Sequence, residues 1–313
     1  MKILVALGGN AILNPKEKGT EDEQLANVQL TSEELAKLVE EGHQISITHG
    51  NGPQVGDIIL LYELAKQVLP PMPLDVCGAQ SQGMIGYLLQ QSLDNALKRR
   101  GIDVPIVSLI TQTLVDENDP AMSNPSKPIG PFYTEQEANE LARENGFTVK
   151  QDSIRGYRRV VASPNPEIVV ESKIIKKLFD LGFIVIHSGG GGIPVVKKEG
   201  KGGSVKGIEA VIDKDLTASL VAAFLEVDVL LILTDVEKVY LNYGKENQTA
   251  LEKLNLDQCD AYQRAGQFSA GSMGPKIEAA RRFVASSGKK AIITSLEKAL
   301  EALDGKTGTM ISS

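Results

Sequence analysis

The stretch Ile45-Ser46-Ile47-Thr48-His49-Gly50-Asn51-Gly52-Pro53-Gln54-Val55-Gly56 decides the fold. Ile45 and Ile47 are β-branched and lie in an apolar run too short for a helix, so they read as a buried strand. Gly50 and Gly52 bracket Asn51 and let the backbone turn tightly. Pro53 suits the first position of a helix, where its missing N–H costs nothing. Strand, turn and helix start together aim free amide groups at the space beyond the strand's carboxyl end. Open parallel sheets bind ligands there, and helix N-termini favour anions.

The same device occurs twice more. Ile3–Val5 run into Leu7-Gly8-Gly9-Asn10, and Phe183–Ile186 run into His187-Ser188-Gly189-Gly190-Gly191-Gly192. One glycine turn is an ordinary strand-to-helix loop. Three at equivalent positions point to one anionic site built from backbone amides.

Working outward, strand and helix alternate almost throughout. Thr20 with Glu23 forms a candidate capping box for a helix to about Glu41. Helices are expected from Pro53 to about Leu69 and from Gln80 to Arg100, and strands at Val104–Leu109 and Thr113–Val115. Residues 116–166 differ in character: Pro120, Pro125, Pro128, Pro131, Pro164 and Pro166 punctuate a polar stretch with a short helix near Glu135–Asn145 and a strand at Arg158–Val161. This reads as a small protruding insertion. Asn165-Pro166-Glu167 carries a cap and a proline, and predicts a helix running to Gly182. Lys197–Lys206 reads as a loop rich in glycine and lysine. Beyond it come helices from Asp213, Leu256, Gly274-Pro275 and Leu296, and strands at Val229–Thr234, Val239–Leu241, Ala291–Thr294 and Thr309–Ile311. The alternation predicts an α/β fold, a three-layer αβα sandwich with a mainly parallel central sheet and two lobes. The expected lobes are 1–205, with the insertion at about 116–166, and 206–313.

The chain has 313 residues, 42% of them apolar, and a net charge of −7. That balance argues against nucleic acid as a partner and for small molecules. Cys77 and Cys259 have no metal-ligand or CxxC spacing and read as buried free thiols in a reducing compartment. Met1-Lys2 leads directly into a strand, and the apolar run Val229–Leu233 falls far short of the roughly 20 residues of a membrane span. The expected location is therefore the cytoplasm, without a membrane partner. No cluster of metal ligands is apparent.

Two helix starts break an electrostatic rule. Cations are unfavourable at helix N-termini, yet Lys214 follows the cap Asp213, and Lys276 follows Pro275. Either could be a solvated surface lysine. As a pair, each behind a loop, they suggest a polyanion between them, with Asp215 holding both in place. Lys127 lies in Lys127-Pro128-Ile129-Gly130-Pro131-Phe132, a loop stiffened by two prolines that could lower a third charge over the site. His49 and His187 read as core histidines. The phosphate-binding GxxxxGK[ST] pattern fails at Leu300, and Gly50-x-Gly52-x-x-x-Gly56 lacks the acid that a dinucleotide site needs on the next strand.

Together these residues resemble the amino-acid kinase family. The resemblance rests on Ala6–Ala11, His49–Gly56, Lys127–Phe132, Gly189–Val196, Val211–Asp215, Gly271-Ser272-Met273 and Pro275–Ala280, in order over nearly the whole chain. Many members carry a lysine two residues before the first glycine pair; here that position is Ala6. The resemblance then implies the branch whose acceptor is carbamate, with Lys127 supplying the missing charge.

It further implies reversible phosphoryl transfer between ATP and carbamate, giving ADP and carbamoyl phosphate. Lys127, Lys214, Lys276 and Asp215 would be catalytic. The acceptor would sit on Gly8, Gly9, Asn10, Gly50, Asn51 and Gly52. The nucleotide, with Mg²⁺, would sit on Lys214, Thr234, Asp235, Tyr243, Met273 and Lys276, and no metal would be held by the protein alone. A homodimer and a role in making ATP during arginine or purine fermentation are also implied. An acetylglutamate-type carboxylate kinase and a nucleotide-binding regulator without turnover stay open as alternatives.

Overall fold

The protein is described by a computed structural model covering residues 1–14, 17–151, 156–198, 203–269 and 271–313. In chain order it begins with β1 (Lys2–Leu7), α1 (Glu21–Glu40), β2 (Gln44–His49), α2 (Gly52–Ala65), α3 (Leu74–Arg99), β3 (Ile106–Ser108) and β4 (Gln112–Val115). An excursion follows through α4 (Pro120–Ser123), β5 (Lys127–Tyr133), α5 (Glu135–Asn145), β6 (Val149–Gln151) and β7 (Tyr157–Val161). The chain returns with β8 (Pro166–Val169), α6 (Ser172–Asp180), β9 (Ile184–Ile186), β10 (Ile193–Lys197) and β11 (Val205–Gly207). It closes with α7 (Lys214–Leu225), β12 (Val229–Thr234), β13 (Val239–Leu241), β14 (Thr249–Leu251), β15 (Lys253–Leu254), α8 (Leu256–Arg264), α9 (Met273–Ser287), β16 (Lys290–Ser295), α10 (Ala299–Leu303) and β17 (Thr309–Ile311).

Eight strands form the central sheet in the order β15-β17-β16-β12-β1-β2-β9-β3. Neighbours run parallel except β16 against β17. Side chains alternate across it, as strand geometry requires. Leu4 and Ala6 join a core with α6, α7 and α9, through residues such as Phe179, Val221 and Phe283. Ile3, Val5 and Leu7 join the opposite core with α1, α3 and α10, through Leu35, Leu89 and Leu303. A helix layer therefore covers each face, and the three-layer α/β sandwich expected from the sequence is the fold observed.

The excursion has a simple origin. β4 and β8 pair antiparallel within a second sheet, ordered β11-β10-β4-β8. The chain therefore leaves and re-enters at adjacent strands. Outside, β5, β7 and β6 make a three-stranded antiparallel sheet. Ile129 and Val161 of that sheet pack with Val55, Leu74 and Cys77 in a small core of their own. This anchors the insertion to α2 and to the start of α3.

Several local expectations need correction. Pro166–Val169 is a strand and not the start of a helix; pairing with β4 overrides the cap-and-proline signal, and the helix begins at Ser172. Proline is tolerated because β8 is an edge strand. Lys127–Tyr133 is also a strand and not a loop. Its prolines fit because β5 is an edge strand, and the register shifts between Ile129 and Tyr133. α2 stops at Ala65, and α3 begins at Leu74, directly after the proline run. Lys197–Lys206 includes the β10–β11 hairpin, whose residues 199–202 lie outside the described residues. Leu296–Lys298 is a 3₁₀ turn ahead of α10. The capping box at Thr20 and Glu23 is present. No helix among the described residues is long and apolar enough to cross a membrane.

Candidate active site

β1, β2, β9 and β12 end at the same edge of the sheet, where Leu7 pairs with both His49 and Leu233, and Ile47 with Ile186. The glycine turns that follow are stitched to these strands. Gly8 N donates to Leu233 O at 3.0 Å and Gly50 N to Leu7 O at 3.1 Å. The first two turns touch: a Cβ on Gly50 would lie 3.2 Å from the Gly9 nitrogen. In the third turn Gly190, Gly191 and Gly192 have φ of +63°, +91° and +91°, a left-handed run that favours glycine. Gly191 O accepts the hydroxyls of Thr113 at 2.8 Å and Thr217 at 2.9 Å, which fixes the turn to β4 and α7.

The two histidines lie beneath these turns. His49 Nδ1 lies 2.9 Å from Gly50 O, and His187 lies 2.9 Å from the hydroxyls of both Ser46 and Ser188. Burial pushes their pKa values down to about 4 for His49 and about 3 for His187. Both are neutral, hydrogen-bonded core groups. Asn51 also faces inward: its Nδ2 donates to Ser81 Oγ at 2.8 Å. A Cβ on Gly190 would collide with that amide at 2.2 Å.

Above the turns opens a cleft of roughly 660 Å³, lined by Gly9, Gly50, Asn51, Gly52, Lys127, Lys214, Asp215 and Lys276. Gly8 lies behind it, against Leu233, and Asn10 stands in the 3₁₀ turn Gly9–Ala11. Lys214 and Asp215 sit in the first turn of α7, capped by Asp213, and Lys276 sits in the first turn of α9. Lys214 Nζ donates to Asp215 Oδ1 at 2.5 Å and Lys276 Nζ to Oδ2 at 3.0 Å. Lys127 Nζ reaches across from β5 to Asp213 Oδ2 at 3.1 Å.

The charges shape one another. Burial lowers the Lys214 pKa, and Lys276 adds to this against the pull of Asp215. Burial acts on Lys276 in the same sense, but Asp215, Asp213 and Asp235 outweigh it and raise its pKa. Burial alone would raise the pKa of Asp215; the two lysines instead hold its carboxyl well below the usual range, so it stays ionised. Two buried cations thus share one anion, which leaves positive charge beside exposed backbone amides.

A second cleft, of roughly 420 Å³, adjoins the first at Ser272, and Asp235, Tyr243 and Met273 line it. Thr234 does not line it; its hydroxyl donates to Asp235 Oδ1 at 3.0 Å. Tyr240, within the stretch Thr234–Tyr243 where the sequence places the base, lines the same cleft; Gln267 and Phe268 also line it and go unmarked in the sequence, since nothing in a short loop after α8 signals a binding wall. The sequence reading also missed Arg158 and Asp57 on the first cleft. Arg158 Nε donates to Gly130 O at 3.1 Å, and burial raises the Asp57 pKa. Their i and i+1 neighbours read as strand and helix and carry no motif. Among the described residues no group of three His, Cys, Asp or Glu stands close enough together to hold a metal.

Comparison with known proteins agrees with this geometry. The sequence profile of the amino acid kinase family matches residues 1–295. The chain is 50% identical over 313 residues to a carbamate kinase of Pyrococcus horikoshii, covering 99% of each chain. It is 50% identical over 315 residues to one of Clostridium perfringens, again covering 99% of each. The solved structure of carbamate kinase from Giardia lamblia bound to AMP-PNP superposes with a TM-score of 0.93 at 46% identity, covering 99% of this chain and 98% of that one. The chain is therefore a phosphotransferase enzyme of the amino acid kinase family and belongs to its carbamate kinase group.

Proposed function

We propose that the enzyme transfers the γ-phosphoryl group of ATP reversibly to carbamate, giving carbamoyl phosphate and ADP. The observation that carries this is the meeting of three lysines and three glycine turns around one cleft, with no lysine at Ala6. Carbamate is already an anion, so the reaction requires no general base. What it requires is alignment and neutralisation of charge on the moving phosphoryl group. The acceptor rests on the amides of Gly9 and Gly50–Gly52, with Gly8 and Asn10 shaping that turn. Lys214 and Lys276 face the phosphates, Asp215 orients both, and Lys127 closes the site from the insertion.

In this reading residues 206–313 form the nucleotide lobe and residues 1–205 the acceptor lobe. The base occupies the cleft of Asp235, Tyr243 and Met273, with Thr234 supporting Asp235. That cleft joins the cationic one at Ser272, as a base and its phosphates require. That a relative from Giardia lamblia was solved bound to AMP-PNP supports a nucleotide as ligand. Mg²⁺ fits as an ion carried by the phosphates and water: Asp213 and Asp215 are engaged by lysines, and among the described residues no three His, Cys, Asp or Glu stand together. It would neutralise phosphate charge; the lysines do the rest.

We also propose a homodimer acting in the cytoplasm to make ATP from carbamoyl phosphate during arginine or purine fermentation. Exposed Tyr87 and Ile110 beside the free edge of β3 support the dimer, and sedimentation at micromolar concentration tests it. The function is tested by ATP formation from carbamoyl phosphate and ADP with Mg²⁺. Faster turnover of N-acetylglutamate than of carbamate would overturn it, and absence of any turnover would leave a nucleotide-binding regulator.

A further inference from the structure

Asp213 joins the insertion to the nucleotide lobe, and its two carboxylate oxygens divide the work. Oδ1 accepts the Asp215 amide at 2.9 Å and the Leu216 amide at 3.4 Å, which caps α7. Oδ2 accepts Lys127 Nζ at 3.1 Å, across 86 residues of sequence. The cap fixes the plane of the carboxylate, so Oδ2 has one direction left, toward β5. The Asp213 side chain is only 13% exposed and that of Lys127 34%. Such a partly desolvated, charge-assisted bond holds its partners better than a surface pair. At the other end, the Lys127 backbone is pinned by pairing with Val161, and Ile129 is buried nearby. A flexible four-carbon stem is thereby held at both ends, with its ammonium over the cleft.

We infer that Asp213 is a positioning residue for Lys127: it holds the insertion's cation where charge develops on the transferred phosphoryl group. The inference rests on the phosphotransfer reading above. Asp213 also pulls the pKa of Lys276 upward and partly offsets the lowering of Lys214 by burial. An Asp213→Asn change separates the roles, because asparagine caps helices as well as aspartate does but carries no charge.

Two measurements on the full chain test the inference. The first is a cycle of wild type, D213N, K127M and the double variant, assayed for ATP formation from carbamoyl phosphate and ADP. D213N should lower kcat about tenfold to a hundredfold, the scale of a slight misplacement of a catalytic group, with little change in KM for ADP. D213N should cost much less in the K127M background than in wild type, the remainder being its pull on Lys214 and Lys276. An equal loss from D213N in both backgrounds, or no loss in wild type, would mean that Asp213 does not act through Lys127.

The second measurement needs no turnover. Acetylation of ligand-free protein by an N-hydroxysuccinimide ester, followed by peptide mass spectrometry, compares Lys127 with the surface lysine Lys245. Loss of the Asp213 charge should raise the relative rate at Lys127 severalfold. An unchanged rate would overturn the inference even if the wild-type enzyme acted on another acceptor. Failure of the proposed function would instead appear as wild-type protein that makes no ATP from carbamoyl phosphate.

Discussion

Lys276 Nζ lies 3.0 Å from Asp215 Oδ2, so that residues 61 positions apart share a contact within the lysine-lined cleft. The other oxygen of the same carboxylate holds Lys214. An electrostatic anomaly at the start of α9 is thereby explained: the cation faces a carboxylate and a cleft, and its cost is met by the anion and by the expected phosphates.

Charge balance within this cluster makes the first prediction. Lys276→Met removes one of two like charges and leaves Lys214 paired with Asp215, so the apo melting temperature should change little. Asp215→Asn removes the carboxylate that both buried cations bond and should cost about 3 kcal/mol or more of stability. All three variants, Lys214→Met included, should lose about a hundredfold or more in kcat. Thermal melts and steady-state kinetics check this; equal destabilisation by Lys276→Met and Asp215→Asn would contradict the shared-anion account.

Lys127 belongs to the insertion and should matter for transfer more than for nucleotide binding. Lys127→Ala should lower kcat steeply while shifting ADP affinity by less than about tenfold, or 1.4 kcal/mol. Calorimetry with ADP measures the affinity directly. A larger loss would put Lys127 in the nucleotide site.

Acid stability should follow the buried histidines. Both folded pKa values lie below the ordinary 6.5, at about 4 for His49 and about 3 for His187. Between those values and 6.5 the unfolded chain binds protons that the folded chain refuses, so stability falls as pH falls. Each histidine contributes a slope of about 1.4 kcal/mol per pH unit in that window. Chemical denaturation should show little histidine slope from pH 7.5 to 6.5, and from there to pH 5 a slope approaching the sum for wild type and clearly less for His187→Asn. A wild-type curve flat below pH 6.5 would show that the histidines protonate in the folded protein.

Glycine positions divide by surroundings. Gly191 has a φ of +91°, and a Cβ there would lie 2.5 Å from the Ile212 carbonyl oxygen, a backbone atom with little room to yield. Gly42 has a φ of +79° with open space around it. Gly42→Ala should therefore cost only the left-handed backbone term, about 1 to 2 kcal/mol. Gly191→Ala should cost more and, if the proposed function holds, reduce kcat, because Ile212 precedes Asp213 and the first turn of α7. Denaturant titration of both variants would expose equal costs, which would rule out the clash.

Legibility tracked the range of the interactions. The three strand–glycine turns, the caps at Thr20 and Asp213 and the helix near Glu135–Asn145 depend on neighbours within a few residues, and all were readable. Pro166–Val169 was misread because its partner, β4, lies some fifty positions back. Lys127, expected on a loop, lines the cleft from a strand instead, because pairing with β7 is invisible in its own stretch. Asn51 lines the cleft as part of its turn, but that its side-chain amide bonds Ser81, thirty positions on, was not legible.

The sequence by itself determined the alternation of strands and helices, and hence a sheet covered on both faces. It also determined which residue types crowd its carboxyl edge, because period, propensity and turn chemistry are local properties of the chain. Only the tertiary structure decided which charge meets which. Asp215 could have been a simple first-turn acid and Asp213 a simple cap. The packing of α7 beside α9 and of the insertion over α2 brought Lys276 to the first and Lys127 to the second. Coulomb energy depends on separation in space and on burial, and neither is written in sequence spacing.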